Sequence, residues 1–201
     1  MAGQTVGAIL FDLDNTLIET TKAGGVAIQK TSELLRTALG LNDATISSIC
    51  NKFKQKLLQE NFDPLSVRSL DDTRVRHWEE SIEETLGSLP RCSLGAECYY
   101  LWKKSRLDAL SLSPEVRDLL RRLRCRYKLL LLTNGEARSQ QEKVDAVQCQ
   151  EFFDAIVIGG GARGAETLRL HLHAVFQQAR RGGAGVRDGG GLSGHGHSGG
   201  A

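Results

Sequence analysis

The chain has 201 residues, 40% of them hydrophobic and 25% charged, with a formal net charge of +2. This composition describes a globular protein with one core domain and room for a small insertion. Near-neutral charge without an aromatic-rich basic patch argues against a nucleic-acid partner, and the lack of a basic-then-apolar leader or an apolar stretch of about 18 residues argues against secretion or membrane insertion, so a cytoplasmic location is expected.

Residues 6–11 are continuously apolar and short, the pattern of a buried parallel strand. They run into Asp12-Leu13-Asp14-Asn15-Thr16, two carboxylates spaced i, i+2 and then a hydroxyl. Open α/β sheets place their sites at the carboxyl ends of strands. Two residues apart on extended backbone, Asp12 and Asp14 point the same way. They repel unless a cation, or the metal of an anionic substrate, lies between them. Aspartate and asparagine are also ordinary turn residues, so a plain turn is the competing account.

From residue 21 to about residue 109 the pattern is helical and poor in strands. Ile28, Leu34, Leu35, Ala38 and Leu39 share one helical face, as do Ile46, Ile49 and Phe53. The segment from His77 to Glu84 continues as an amphipathic helix closed by Gly87 and Pro90, and a fourth helix runs from about Ala96 through Leu107. Trp78 and Trp102 are expected in the core of this bundle. Ser113-Pro114-Glu115 opens a further helix, with serine as N-cap and proline at the first position. Leu119, Leu120 and Leu123 form its expected buried side.

Residues 127–135 read as a second apolar strand of central type, ending in Thr133-Asn134-Gly135. A helix from about Arg138 to Val147 and a strand at 155–158 complete a βαβ alternation. Cys50, Cys92, Cys98, Cys125 and Cys149 are scattered without C-x-x-C pairing and are expected as reduced thiols.

The string at residues 9–17 resembles the first motif of the haloacid-dehalogenase-like phosphohydrolases, D-x-D-x-T after an apolar strand. Thr133-Asn134-Gly135, about 120 residues later and beyond a helical insertion, resembles the second. The resemblance implies an α/β fold: a truncated Rossmann-like parallel-sheet core at 1–20 and 110–160, an inserted α-helical cap at 21–109, and a divergent tail at 161–201. It implies an Mg2+-dependent phosphatase of a small sugar phosphate, with no nucleic-acid or membrane partner. Asp12 would be the nucleophile, forming an aspartyl-phosphate, and Asp14 the general acid and base. Mg2+ would lie on Asp12 and Asp14, and the phosphate against Leu13, Thr133, Asn134 and Gly135. A carboxylate can carry a covalent phospho-intermediate when a metal offsets the repulsion between anions. Asp14 favours phosphoryl over carbon–halogen chemistry, because members that cleave the latter bond typically lack it. A phosphomutase, or a phosphatase for another small ester, is the alternative within catalysis.

The resemblance covers residues 6–160 and then departs. The family pattern continues with a lysine followed by proline, then an acidic loop. Here the chain reads Gly161-Ala162-Arg163-Gly164, and no lysine follows Lys143. Lys143 itself, in a helix before the third strand, is expected to be a poor substitute. Fourteen of the 22 glycines and four of the five histidines lie between Gly159 and Ala201. The pairs His171/His173 and His195/His197 have metal-ligand spacing, but flanking glycines offer them no scaffold. Reading permitted codons for residues 162–181 one base later can yield QEEQKPSASIFTLCFNKLGE, which holds the missing Lys-Pro. A shifted frame, a disordered tail and a catalytically inactive chain are therefore expectations too.

Overall fold

The computed structural model describes residues 7–60 and 68–159, with Leu170 and His173. Expectations for the rest of the tail, the histidine pairs and the shifted frame among them, lie outside the described residues. Three parallel strands, β1 (Ala8–Phe11), β2 (Lys128–Asn134) and β3 (Ala155–Gly159), form a sheet in the order β1-β2-β3. Register places Phe11 beside Leu131 and Thr133 beside Ile158, so all three carboxyl ends reach the same edge. The leucines Leu129, Leu130 and Leu131 are buried, as a central strand covered on both faces requires.

Four helices intervene between β1 and the rest of the sheet: α1 (Thr20–Leu39), α2 (Asp43–Leu58), α3 (Leu70–Leu86) and α4 (Leu94–Asp108). Local signals set their ends. Asn42 and Ser69 accept from the backbone N–H of Thr45 and Asp72, and Gly40 and Gly87 close α1 and α3 in the left-handed conformation. The bundle has its own core, in which Phe53 stacks on Trp78 with ring centroids 4.0 Å apart and meets Trp102 edge-on. Both tryptophans are buried, as expected.

Beyond the bundle, α5 (Pro114–Arg124) begins with the Ser113 hydroxyl accepting from Val116 N–H. Its buried side is narrower than the leucine pattern predicts: Leu120 is fully buried, but Leu119 is 42% exposed. Among the described residues α5 packs against β2, which covers one strip of the helix. After β2 come α6 (Ala137–Val147) and a single 3-10 turn at Gln150–Phe152. A second core joins Leu13, Leu17, Leu129, Leu131, Val144 and Phe152 around the sheet. Lys103 on α4 reaches both Asp71 on α3 and Glu142 on α6, each at 2.9 Å, and so ties the bundle to the sheet layer.

Candidate active site

Where β1 ends, the backbone turns sharply. Asn15 takes a left-handed conformation (φ +56°), which asparagine tolerates, and its side chain accepts from Thr21 N–H at 2.9 Å. The two carboxylates have different surroundings. Asp12 stays exposed and accepts from the Thr16 hydroxyl at 3.0 Å. Asp14 is half-buried, facing α1 and α6. Thr20 donates to it at 2.6 Å, Gln140 at 3.2 Å, and Lys143 to both of its oxygens at 2.9 and 2.7 Å.

Burial would raise the Asp14 carboxyl, but the Lys143 ammonium and the hydrogen bonds from Thr20 and Gln140 outweigh it and hold the group below its ordinary value. Lys143, only 6% exposed at its side chain, is also held below its ordinary value. Burial is the first cause, and Arg106 and Arg74 nearby add to it; the bond to Asp14 offsets them only in part.

At the end of β2, Thr133 is buried and its hydroxyl donates to Gln140 at 3.1 Å. Gln140 also donates to the Asn134 carbonyl at 2.8 Å, so one amide links Thr133, Asn134 and Asp14. Gly135 permits this approach. Its φ is +138°, and a Cβ there would lie 2.5 Å from Gln140 Nε2. Leu13, fully buried, is part of the sheet-layer core.

The structure thus brings Asp14, Thr133, Asn134 and Gly135 together, with Asp12 on the exposed side of the same strand end. Gln140 escaped the sequence reading, and Lys143 was weighed there only as a substitute for the lysine missing from the tail. The available signal was their spacing: Gln140, Lys143, Val144 and Val147 are the buried residues of α6, one helical face with two polar members. Packing of α6 against the sheet aims the Lys143 side chain at Asp14, a contact its position before the third strand did not announce.

Next to this cluster a cleft of about 630 Å³ opens between α3, α4 and α6, lined by Arg74, His77, Arg106, Gly135, Gln140 and Lys143 among others. Arg74 is gripped by Glu60 through Nε at 3.0 Å and Nη2 at 2.9 Å. Among the described residues no group of three or more His, Cys, Asp or Glu side chains could enclose a metal. The oxygens of Asp12 still fit a hard cation that binds through one or two carboxylates and keeps waters and substrate oxygens.

A parallel sheet with a helical insertion after its first strand, and an Asp-x-Asp string at that strand's end, defines an α/β architecture with its polar cluster at the strand ends. The sequence pattern of the haloacid dehalogenase-like hydrolases matches residues 6–180, and the chain belongs to that family. The match extends beyond Gly160, where the motif resemblance stops. The chain is 43% identical to the N-acylneuraminate-9-phosphatase of Rattus norvegicus over 77% of its own length, and 42% identical to that of Homo sapiens over 79%. It spans 62% and 63% of those relatives. At 28% identity, over 76% of this chain and 59% of the relative, it resembles a glyceraldehyde 3-phosphate phosphatase of Pyrococcus abyssi. Among solved structures, a haloacid dehalogenase-like hydrolase from Xanthomonas campestris superposes with a TM-score of 0.54 over 79% of this chain and 63% of that one, at 15% identity. The hydrolase YfnB of Bacillus subtilis, solved bound to magnesium, gives 0.50 over 78% and 64%, at 16% identity. Both share the fold.

Proposed function

We propose that this chain carries the catalytic elements of a cytoplasmic phosphate monoester hydrolase acting on a sugar phosphate, N-acylneuraminate 9-phosphate being the first candidate. The observation that carries the reading is the tethering of Asp14 to both Lys143 and, through Gln140, Thr133, at the end of the strand that bears Asp12. The relatives at 42–43% identity support this choice of substrate.

In this reading a carboxylate oxygen of Asp12 attacks phosphorus while the ester P–O bond breaks, and Asp14, once protonated, gives its proton to the departing alcohol oxygen. Water then attacks phosphorus, Asp14 accepts a proton from it, and Asp12 is released with inorganic phosphate. Lys143 holds Asp14 as a carboxylate in the resting protein, so proton donation requires the ammonium to turn towards the incoming phosphoryl oxygens. A magnesium ion on Asp12 and the Asp14 carbonyl would lower the charge repulsion between carboxylate and phosphate. Leu13, Thr133, Asn134 and Gly135 bound the phosphate side, and the helices at 21–109 act as the cap that selects the sugar.

A second reading, an inactive chain, rests on the absence of any lysine after Lys143. Release of inorganic phosphate from N-acetylneuraminate 9-phosphate with Mg2+ decides between them. Turnover that disappears in Asp12→Asn supports the hydrolase; no turnover in the parent protein supports the inactive chain.

A further inference from the structure

Gln140 is only 5% exposed, and its amide commits both of its polar atoms to the strand ends. Nε2 donates to the Asn134 carbonyl at 2.8 Å and to an Asp14 oxygen at 3.2 Å, while Oε1 accepts from the Thr133 hydroxyl at 3.1 Å. The neighbours fix this orientation. A flipped amide would set its oxygen against two acceptors, a carbonyl and a carboxylate. Gly135 leaves the room for so close an approach, since a Cβ there would come within 2.5 Å of Nε2.

Thr133 is 1% exposed, and its hydroxyl has one hydrogen to give. That hydrogen goes to Gln140. The hydroxyl can therefore donate to a phosphoryl oxygen only by leaving the amide. Asp14 does not depend on Gln140 alone, because Thr20 and Lys143 also donate to it.

We propose that Gln140 is a positioning residue that locks the Thr133 hydroxyl until phosphate arrives, while its Nε2 helps to hold Asp14. This rests on the placing of phosphate against Thr133 in the reading above, and it adds a control on how tightly that phosphate is held. The exchange swaps one hydrogen bond for another: the bond from Thr133 to the Gln140 carbonyl breaks, one from Thr133 to a phosphoryl oxygen forms, and no proton or electron is transferred. A hydrogen bond to a charged oxygen is roughly twice as strong as one to a neutral oxygen, so the swap is favourable, but by the difference between the two bonds. Inorganic phosphate is thus held less tightly than by a free hydroxyl, which favours its release after turnover.

Binding of inorganic phosphate to the full chain, with Mg2+ present, is measured by calorimetry for the parent, Gln140→Met, Thr133→Val and the double variant. With its acceptor removed, Thr133 should hold phosphate about fivefold more tightly in Gln140→Met, the scale of one neutral hydrogen bond. Thr133→Val should weaken phosphate about fivefold in the parent but about 25-fold in Gln140→Met, where the whole charged contact is lost. Turnover should move the other way, kcat falling in Gln140→Met because Asp14 loses a donor. A merely structural Gln140 would lower phosphate affinity and kcat together. Should Gln140→Met fold poorly, Thr133→Val alone carries the test, and a loss of 25-fold or more in the parent would overturn the lock. Unchanged or weaker phosphate binding in Gln140→Met, additive effects in the double variant, or no phosphate binding by the parent would each overturn it as well. Any of these alongside normal phosphate release from an ester leaves the hydrolase standing; the full pattern of affinities without such release removes the hydrolase and keeps the lock.

Discussion

The Lys143 ammonium donates to both carboxylate oxygens of Asp14, at 2.7 and 2.9 Å, across a sequence separation of 129 residues. This contact joins α6 to the end of β1 and fixes which way the second acid of the Asp-x-Asp pair faces. Asp12, two residues earlier, is turned to solvent.

Removing that ammonium should be expensive and pH-dependent. Lys143→Met leaves Asp14 half-buried without its cation, and a loss of about 3 kcal/mol in urea unfolding at pH 7 is expected. In the parent protein Asp14 lies below its ordinary value, so its contribution is complete above about pH 4 and is lost as pH falls through the folded value. In the variant, burial dominates and raises Asp14, so the penalty eases as the group protonates. The stability gap between the two proteins should therefore narrow from pH 7 to pH 3; a gap independent of pH would contradict the pairing.

Gly135→Ala strikes the same cluster from the other side. Its positive φ and the 2.5 Å approach to Gln140 leave no room for a methyl group unless Gln140 moves. Gln140 holds Thr133, Asn134 and Asp14 together, so the change should cost about 2 kcal/mol and lower phosphate release with it. Thermal unfolding and a turnover assay check this; a variant as stable as the parent would show that Gln140 is free to shift.

Trp78 offers a test of the bundle core. Trp78→Ala should lose about 3–5 kcal/mol by opening a cavity against Phe53. Trp78→Phe should lose much less, because among the described residues the buried indole N–H has no hydrogen-bond partner and its removal relieves that cost. Similar losses for both, in denaturant melts, would mean that the N–H is satisfied in solution.

Thiol chemistry should sort the cysteines by burial. Cys92 and Cys125 are exposed, whereas Cys50, Cys98 and Cys149 are buried. Burial pushes Cys98 up to about 12 and Cys149 up to about 11, far from the thiolate that reacts. Titration with an aromatic disulfide reagent at pH 8 should label Cys92 and Cys125 quickly and the others only after unfolding.

Much of the architecture was readable from local chemistry. Residues 6–11 announced a strand by a short unbroken apolar run, the leucines at 129–132 did so once Arg126 and Gly135 bounded them at strand length, and Ser113-Pro114 and Gly87 marked helix ends, because capping and backbone preference act within a turn of chain. The Asp12-Leu13-Asp14 and Thr133-Asn134-Gly135 strings pointed to the strand ends for the same reason: each is a contiguous word. Leu119 was misplaced, since a leucine repeat says which residues can be buried and not how much neighbouring surface exists to bury them. Lys143 and Arg106 needed the tertiary structure. Whether α6 aims Lys143 at Asp14, or α4 holds Arg106 over the same cleft, depends on strand register and helix packing between segments far apart in the chain. Those are set by the summed fit of the two cores, which no local run of residues encodes.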